Sequence, residues 1–224
     1  IINGACNVAQ RATSKTGAIG YQTVDRFDIT QSGGENAPDT AQRALTSSDT
    51  GPWAKGFRNC YQITNGDQSS ADAGDYSEIL YKIEAQDMAS SGWNYPSASS
   101  YITLSFWVKS SVAQNFYCFL KTSDGTAKLY PFETGSLSAN TWTKVTKTIP
   151  GHADLTFNND TAEGLRLDFP LYYGTDKTGS GVNLNQWMNY NGATRTPDNT
   201  STWWLQDDAT FELTGVQLEV GDTA

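Results

Sequence analysis

The 224-residue sequence has one histidine, three cysteines and no cluster of basic residues. A histidine-dependent triad would have to use His152, which follows a Pro-Gly pair and is more simply interpreted as a solvated turn residue. One histidine and three dispersed cysteines match no zinc-binding pattern. Because Cys60 and Cys118 lie inside apolar strand patterns, we expect reduced, buried thiols, as in a chain folded in a reducing cytosol.

No apolar run reaches the ~20 residues that a membrane-spanning helix needs, and no signal peptide is recognisable. The 15 Lys and Arg residues are scattered through a chain of net charge −9. Nucleic-acid binding needs clustered positive charge, and an acidic surface is repelled by anionic membranes. We therefore predict no nucleic-acid partner and no membrane insertion. Neutral partners such as sugars are compatible with this charge.

Aromatic residues, by contrast, make up 12% of the chain. The clearest pattern is Tyr101–Lys109, in which apolar residues occupy every second position from Ile102 to Val108. Since successive side chains of a strand point to opposite faces, this pattern predicts a central strand with one fully apolar face. Trp107 lies on the other face, where we expect it to pack beneath a loop or against a neighbouring subunit.

This alternation recurs along the chain between turn-rich segments, without a helical period. About ten short strands with aligned apolar faces predict an all-β fold, a two-sheet antiparallel sandwich or jelly roll. We expect residues 1–20 to form an N-terminal arm or linker and residues 21–224 a single sandwich domain. The other predicted strands are Tyr21–Thr30, Phe57–Thr64, Tyr76–Ala85, Asn115–Thr122, Ala127–Glu133, Thr141–Ile149, Leu165–Tyr173, Asn183–Tyr190 and Phe211–Val220.

Several local features refine this picture. Asp124-Gly125 predicts a hairpin turn, and a change of phase at Gly215 predicts a β-bulge. Residues 31–56 are expected to be a long surface connection with a helical turn at Ala41–Leu45. Asn115–Thr122 is apolar on both faces, so we expect this strand to be covered on both sides.

Catalysis finds little support in the sequence. No G-x-S-x-G motif is present, and no carboxylate pair stands out among the 24 acidic residues. We therefore predict that the protein is not an enzyme, with a glycoside hydrolase or lyase as the alternative. Asn158, Asp160 and Glu163 are oxygen-rich enough to suggest one structural Ca²⁺, the only cofactor expected. No EF-hand spacing is present, which makes a solvated turn the simpler interpretation.

Aromatic residues outside the alternating strands are the candidates for ligand binding. An exposed ring can stack on the apolar face of a sugar, while amide, carboxylate and guanidinium groups bind its hydroxyls. The stretch Gln186–Trp204 has that composition. However, tryptophan is highly buried on average, which favours core or interface packing for any single Trp. The predicted glycan-binding residues are Trp93, Tyr95, Trp187, Tyr190, Arg195, Asp198, Trp203 and Trp204.

Four segments together carry a family resemblance: Asn3–Arg11 with Asp25–Phe27, Tyr101–Ser111, Thr141–Gly151 and Thr214–Gly221. In this order they resemble the jelly-roll domains at the ends of tailed-phage tail fibres and related virion proteins, which in turn look like carbohydrate-binding modules. The most specific parts are the opening NGACNVAQR and the closing TGVQLEVG. These motifs are largely scaffold residues, so they indicate a fold and a setting rather than a ligand site.

The resemblance implies a non-catalytic virion component, made in the host cytoplasm, that adsorbs to a cell-surface polysaccharide. Its expected partners are other virion proteins and copies of itself, in a homo-oligomer such as a trimer. Two alternatives stay open. One is a structural or decoration domain of a virion whose aromatic residues serve subunit contacts. The other is a carbohydrate-binding module of a polysaccharide-degrading enzyme.

Overall fold

A computed structural model describes residues 1–223 of the chain. Within them lie twelve strands, one short helix α1 (Ala85–Ala89) and a 3₁₀ turn (Trp53–Lys55). No helix in this part of the chain is long and apolar enough to cross a membrane. The strands are β1 (Ser14–Lys15), β2 (Phe27–Ser32), β3 (Asp39–Ala44), β4 (Asn59–Thr64), β5 (Tyr76–Glu84), β6 (Tyr101–Ser110), β7 (Asn115–Thr122), β8 (Lys128–Ser136), β9 (Thr143–Pro150), β10 (Glu163–Tyr173), β11 (Met188–Asn189) and β12 (Thr210–Val220).

The strands form two antiparallel sheets of six strands each. The first, which we call the β6 sheet, has the order β1-β3-β4-β12-β6-β9, and the second, the β10 sheet, has the order β11-β8-β7-β10-β5-β2. Non-consecutive strands are neighbours in both sheets, as in a jelly roll. The all-β, two-sheet antiparallel sandwich that the alternating pattern predicts is therefore confirmed.

The apolar face of β6 packs against the opposite sheet. From Ile102 to Val108, every second side chain is at most 2% exposed. The Phe106 ring lies with its centroid 5.1 Å from that of Phe169 in β10, in an edge-to-face arrangement. Burial of one such side chain stabilises the fold by roughly 1.5–3 kcal/mol. The strand with the clearest sequence pattern thus forms the centre of the core.

A bulge interrupts β12 where the sequence changes phase. The pairing of β12 with β6 shifts register between Thr214 and Gln217. Between them, Gly215 has a φ of +63°, in the left-handed region that glycine tolerates best. A Cβ at this position would lie 2.7 Å from the Phe57 ring. The predicted bulge is confirmed, and both backbone conformation and space require glycine there.

Three predicted segments differ from the structure. The strand predicted at Tyr21–Thr30 begins only at Phe27 and continues to Ser32 as β2. Residues 31–56 contain β3, so the helical turn predicted at Ala41–Leu45 is wrong; β3 has few large apolar residues and owes its extended form to pairing with β4. The strand predicted at Asn183–Tyr190 is reduced to the two residues of β11.

Residues 1–20 pack closely on the sandwich. Cys6 is fully buried in the main core, and β1 pairs with β3 at one edge of the β6 sheet. All three cysteines are buried and unbridged, which confirms the prediction for Cys60 and Cys118. Burial raises the pKa of the Cys6 thiol to about 12, so this thiol is protonated and behaves as a small apolar side chain.

The bulge provides a test of the fold. Gly215→Ala should lower the free energy of unfolding by about 2–4 kcal/mol, since it combines a left-handed backbone with overlap on Phe57. Gly181→Ala is the matched control, because a Cβ there meets no atom within 4 Å, and it should change stability by no more than about 0.5 kcal/mol. Urea unfolding measures both, and equal effects would contradict the described bulge.

Candidate functional site

The outer face of the β6 sheet is occupied by an ion-pair network. Arg43 contacts Asp49 at 2.8 Å and Glu212 at 2.9 Å, and Lys109 contacts Glu212 at 2.6 Å. The Trp142 indole also donates to Asp49, at 3.0 Å. The hydrogen bond from Arg43 holds the pKa of Asp49 well below its ordinary value, against the opposing effect of burial. Because these charges are paired with one another, the network leaves few charged groups free to bind a ligand.

A loop closes the same face. The segment between β3 and β4 carries Asp49 and passes over the Trp107 ring so closely that a Cβ on Gly51 would lie 2.6 Å from it. Trp107 is therefore half-buried beneath a loop, which is one of the two placements expected from the sequence. The β6 sheet has no open outer surface at this position.

The outer face of the β10 sheet carries aromatic residues instead. Phe119, Leu129 and Tyr173 are buried there in a small cluster separate from the main core, and Tyr76 and Tyr190 pack against them half-buried. Phe119 lies between the core residues of β7, so this strand is covered on both sides, as predicted. The cluster supports a surface on which aromatic rings remain partly open.

Two buried carboxylates lie beneath this surface. The Tyr173 hydroxyl and, at 3.2 Å, the Thr30 hydroxyl donate to Glu78. Arg166 Nε donates to Asp168 Oδ2 at 2.9 Å, while Asp168 Oδ1 has no hydrogen-bond partner among the described residues. Burial raises the pKa of Asp168 to about 7, assisted by the nearby charge of Glu78 and opposed by Arg166.

Two cations lie over the tyrosines. Lys177 Nζ is 4.4 Å from the Tyr76 ring centroid. The Arg195 guanidinium is 5.5 Å from the Tyr173 ring centroid and 5.8 Å from that of Tyr190. All three distances lie within the range of cation–π attraction. This end of the face therefore combines partly open aromatic rings with positive charge.

A cavity of about 420 Å³ opens near the other end of the same sheet. Tyr21, Arg26, Glu84 and Glu163 are among its lining residues. Arg26 has a left-handed φ of +77°, a conformation that costs energy for a residue other than glycine. The walls of the cavity thus offer one exposed aromatic ring together with charged groups of both signs.

Lys121 connects the cavity to the aromatic end. Its Nζ is 3.5 Å from a Glu163 carboxylate oxygen and 5.2 Å from the Tyr190 ring centroid. The two ends are therefore parts of one surface, which we call the β10 face: the cavity, Lys121, and the cluster of Tyr76, Tyr190, Lys177 and Arg195.

Three of the predicted glycan-binding residues lie inside the protein. Trp93 is 3% exposed, and Trp203 and Trp204 are fully buried. Their indole nitrogens donate to the carbonyls of Ser100, Thr210 and Ser70, respectively. The prediction that these three tryptophans are exposed and can stack on a sugar is therefore wrong. Packing inside the sandwich, the alternative weighed for any tryptophan, is what the structure shows.

The remaining predicted residues are divided between two regions. Tyr95 packs edge-on against Phe157, and Trp187 packs on Tyr130 with its indole donating to the Pro150 carbonyl at 2.7 Å. Asp198 is exposed and accepts a hydrogen bond from Thr178 at 2.7 Å. Only Tyr190 and Arg195 come together, and both belong to the β10 face.

The residues suggested for Ca²⁺ do not converge. Asn158 donates to Asp124 at 2.8 Å, Asp160 accepts from the Ala162 N–H, and Glu163 accepts from Ser123. Within residues 1–223, no group of three or more His, Cys, Asp or Glu side chains is placed to hold a metal ion. Binding of Ca²⁺ therefore stays a prediction, and the described residues show no set of oxygen ligands for it.

The sequence interpretation missed several residues of this surface, namely Tyr76, Glu78, Asp168, Tyr173 and Lys177. One signal was available: acidic residues at outward positions of otherwise apolar strands. In β5 and β10, Glu78 and Asp168 each stand between buried neighbours. A charged side chain buried on the outward face of a strand indicates that this face is covered by other residues, that the charge is paired, or that the face has a function.

Comparisons with known proteins show similarity of shape only. No protein-family model and no curated protein matches the sequence. Among solved structures, the enzymatically active domain of tailspike protein 4 of bacteriophage CBA120 matches 94% of this chain with a TM-score of 0.47 and 9% identity. The chain spans 22% of that protein.

Two further structures are carbohydrate-binding modules. A CBM4 structure matches with a TM-score of 0.47 and 14% identity over 99% of both chains. The family 11 module of the cellulase Lic26A-Cel5E of Clostridium thermocellum has a TM-score of 0.39 and 12% identity, covering 93% of this chain and 95% of its own. At these scores, none of the similarities assigns a family or a ligand.

The buried carboxylate predicts a pH dependence of stability. Because the pKa of Asp168 is raised in the folded protein from 3.8 to about 7, the folded state retains a proton that the unfolded state releases between these values. Stability should therefore fall as pH rises through this window. Asp168→Asn removes this titration, so its stability should fall less. Asp28, whose pKa is also raised by burial, leaves a residual slope.

Urea unfolding from about pH 4.5 to about pH 7.5 measures this difference. Asp207→Asn, at an exposed position, is the matched control and should follow the wild-type profile. If Asp168→Asn loses as much stability as the wild type across this range, the titration of Asp168 is not as described.

Proposed function

We propose that the protein is a non-catalytic β-sandwich that binds a carbohydrate on its β10 face. The observation that carries this proposal is the pairing of half-buried Tyr76 and Tyr190 with Lys177 and Arg195 on a surface continuous with an open cavity. A pyranose presents apolar C–H groups on its faces and hydroxyls around its rim. Tyrosine rings suit the faces, and charged donors suit the hydroxyls.

The state of the carboxylates supports binding without catalysis. Glycoside hydrolysis needs two carboxyl groups that flank the scissile bond. Here Asp168 is fully buried and paired with Arg166, and Glu78, 5% exposed, accepts from Tyr173 and Thr30. Neither carboxylate faces the space that a polysaccharide would occupy. These two carboxyl groups are therefore not placed to cleave a polysaccharide bound on the β10 face.

We further propose that the protein is a phage virion component that recognises a host cell-surface polysaccharide, and the family resemblance of its scaffold motifs supports this. The opening and closing motifs contact each other: the Val216 N–H donates to the Gly4 carbonyl at 2.9 Å, and Cys6 Sγ contacts the Leu213 carbonyl at 3.5 Å. Their role in joining the N-terminal segment to β12 fits a scaffold function. A module of a polysaccharide-degrading enzyme would use the same face.

Removal of one aromatic ring tests carbohydrate binding. On a glycan array of bacterial surface polysaccharides, the protein should bind at least one polymer. Tyr190→Ala should then weaken that binding by about three- to tenfold, since stacked aromatic contacts contribute roughly 0.5–1.5 kcal/mol. Tyr101→Ala, at a half-exposed position of the other sheet, is the matched control and should bind normally in calorimetric titrations. The absence of binding to every polymer, or full affinity in Tyr190→Ala, would refute the proposal.

A second candidate function is subunit contact within a virion. An apolar groove lies between the ends of the two sheets, lined in part by Ile1, Ile83, Ile102 and Leu218. Beside it, Val220 is 48% exposed, and apolar residues in such a position favour association with another protein surface. Ile83 lines both this groove and the cavity of the β10 face, so the two functions would use neighbouring surfaces.

Oligomeric state tests this second candidate. Light scattering should show a homo-oligomer such as a trimer, and Val220→Asp should convert it to monomer because the charge would be buried at the contact. Ile19→Asp, at an equally exposed apolar position elsewhere, should leave the oligomer intact. A wild-type monomer at high concentration would exclude a contact between copies of this chain.

A further inference from the structure

At the aromatic end of the β10 face, two neighbouring cations have no carboxylate partner within ion-pair distance in the described part of the chain. Arg43, Lys128 and Arg166 each form an ion pair at 2.9 Å or less. Lys177 and Arg195, by contrast, form no ion pair among residues 1–223. Other cations, such as Lys55 and Lys144, also lack an ion pair among the described residues, but they are exposed. Lys177 and Arg195 differ because they are half-buried beside tyrosine rings.

The backbone holds the two cations side by side. The Arg195 N–H donates to the Lys177 carbonyl at 2.8 Å, and the next residues, Thr178 and Thr196, form a parallel bridge. Thr196 is 1% exposed, which anchors this pairing in the protein. The backbones of both residues are therefore held next to each other without a ligand.

Arg195 keeps part of its guanidinium free. Its Nε donates to the Gly192 carbonyl at 3.1 Å, and its Nη1 contacts the Tyr173 hydroxyl at 3.4 Å. A guanidinium has five N–H donors, and these two contacts leave the remaining donors available. Such a fork matches the two oxygens of a carboxylate or sulfate.

Acidic groups lie near the two cations but form no ion pair with them among the described residues. Glu78 accepts from Tyr173 and Thr30, and Asp198 accepts from Thr178. Asp176 precedes Lys177 in the chain but makes no ion pair with it. Burial and the adjacent charge of Arg195 lower the pKa of Lys177, while the charges of Glu78 and Asp176 oppose this effect. An anion bound between the two cations would reduce the repulsion between them.

We propose that Lys177 and Arg195 bind the negatively charged group of an acidic polysaccharide, a carboxylate or a sulfate, while a neighbouring sugar ring stacks on Tyr190. This inference rests on the proposed carbohydrate-binding function and specifies the ligand as an anionic glycan. It differs from the expectation from net charge alone, because an anion would approach an acidic protein at two adjacent cations.

Matched polymers separate charge from sugar backbone. The full chain is titrated with polygalacturonate and with its methyl ester, which lacks the negative charge, and in parallel with dextran sulfate and dextran. The array of neutral and acidic bacterial polysaccharides is included. We expect binding to acidic polymers only, with the carboxylate and sulfate arms showing which anion is preferred. Affinity should fall as NaCl is raised, because salt screens exposed charges.

Charge-neutral variants then locate the site. Lys177→Gln and Arg195→Gln should each weaken binding to the acidic polymer by about tenfold, as expected for loss of a charge-assisted hydrogen bond. Lys144→Gln, at an exposed position of β9, makes the same change in net charge and should bind normally. Thermal unfolding of each variant verifies that the fold is retained.

The outcomes distinguish this inference from the function on which it rests. Binding to neutral polymers alone, or binding to acidic polymers that both variants and the control retain equally, overturns the anionic site and leaves carbohydrate binding in place. A protein that binds no polymer of either charge overturns both proposals.

Discussion

The contact between the apolar faces of the two sheets is the constraint on which the rest of the structure depends. Phe106 of β6 meets Phe169 of β10 at the centre of the sandwich, and the strands on either side continue the same apolar layer. Because alternate side chains are committed to this layer, the other half of each strand is left to form two outer faces. The ability of each outer face to bind a ligand therefore depends on which residues cover it.

The two outer faces are covered in different ways. On the β6 sheet, the loop that carries Asp49 closes over Trp107, and Arg43 and Glu212 complete a network in which the charges are paired. On the β10 sheet, Tyr76 and Tyr190 stay half-buried, and Arg195 ends above tyrosine rings without an ion-pair partner among the described residues. Satisfied charge stabilises a fold, whereas unsatisfied charge beside aromatic rings is available to a ligand.

The alternating pattern was sufficient to predict the architecture, because burial on one face determines which residues a strand can have. It found β6, β7 and β10, whereas β3 (DTAQRA) escaped because its extended form comes from pairing and not from apolar side chains. The candidate site was predicted only in part. Composition pointed to Tyr190 and Arg195, but it could not separate them from Trp203 and Trp204, since the burial of a loop side chain depends on the other chain segments that pack around it.

Hydrogen–deuterium exchange with a bound polysaccharide is the most direct test of which outer face binds sugar, because it reports which backbone segments the ligand shields. We expect slower exchange in residues 174–195, which carry Lys177, Tyr190 and Arg195, and no change in residues 45–57, which close the β6 sheet. Protection of residues 45–57 with unchanged exchange in residues 174–195 would place the ligand on the opposite face and contradict binding at the β10 face.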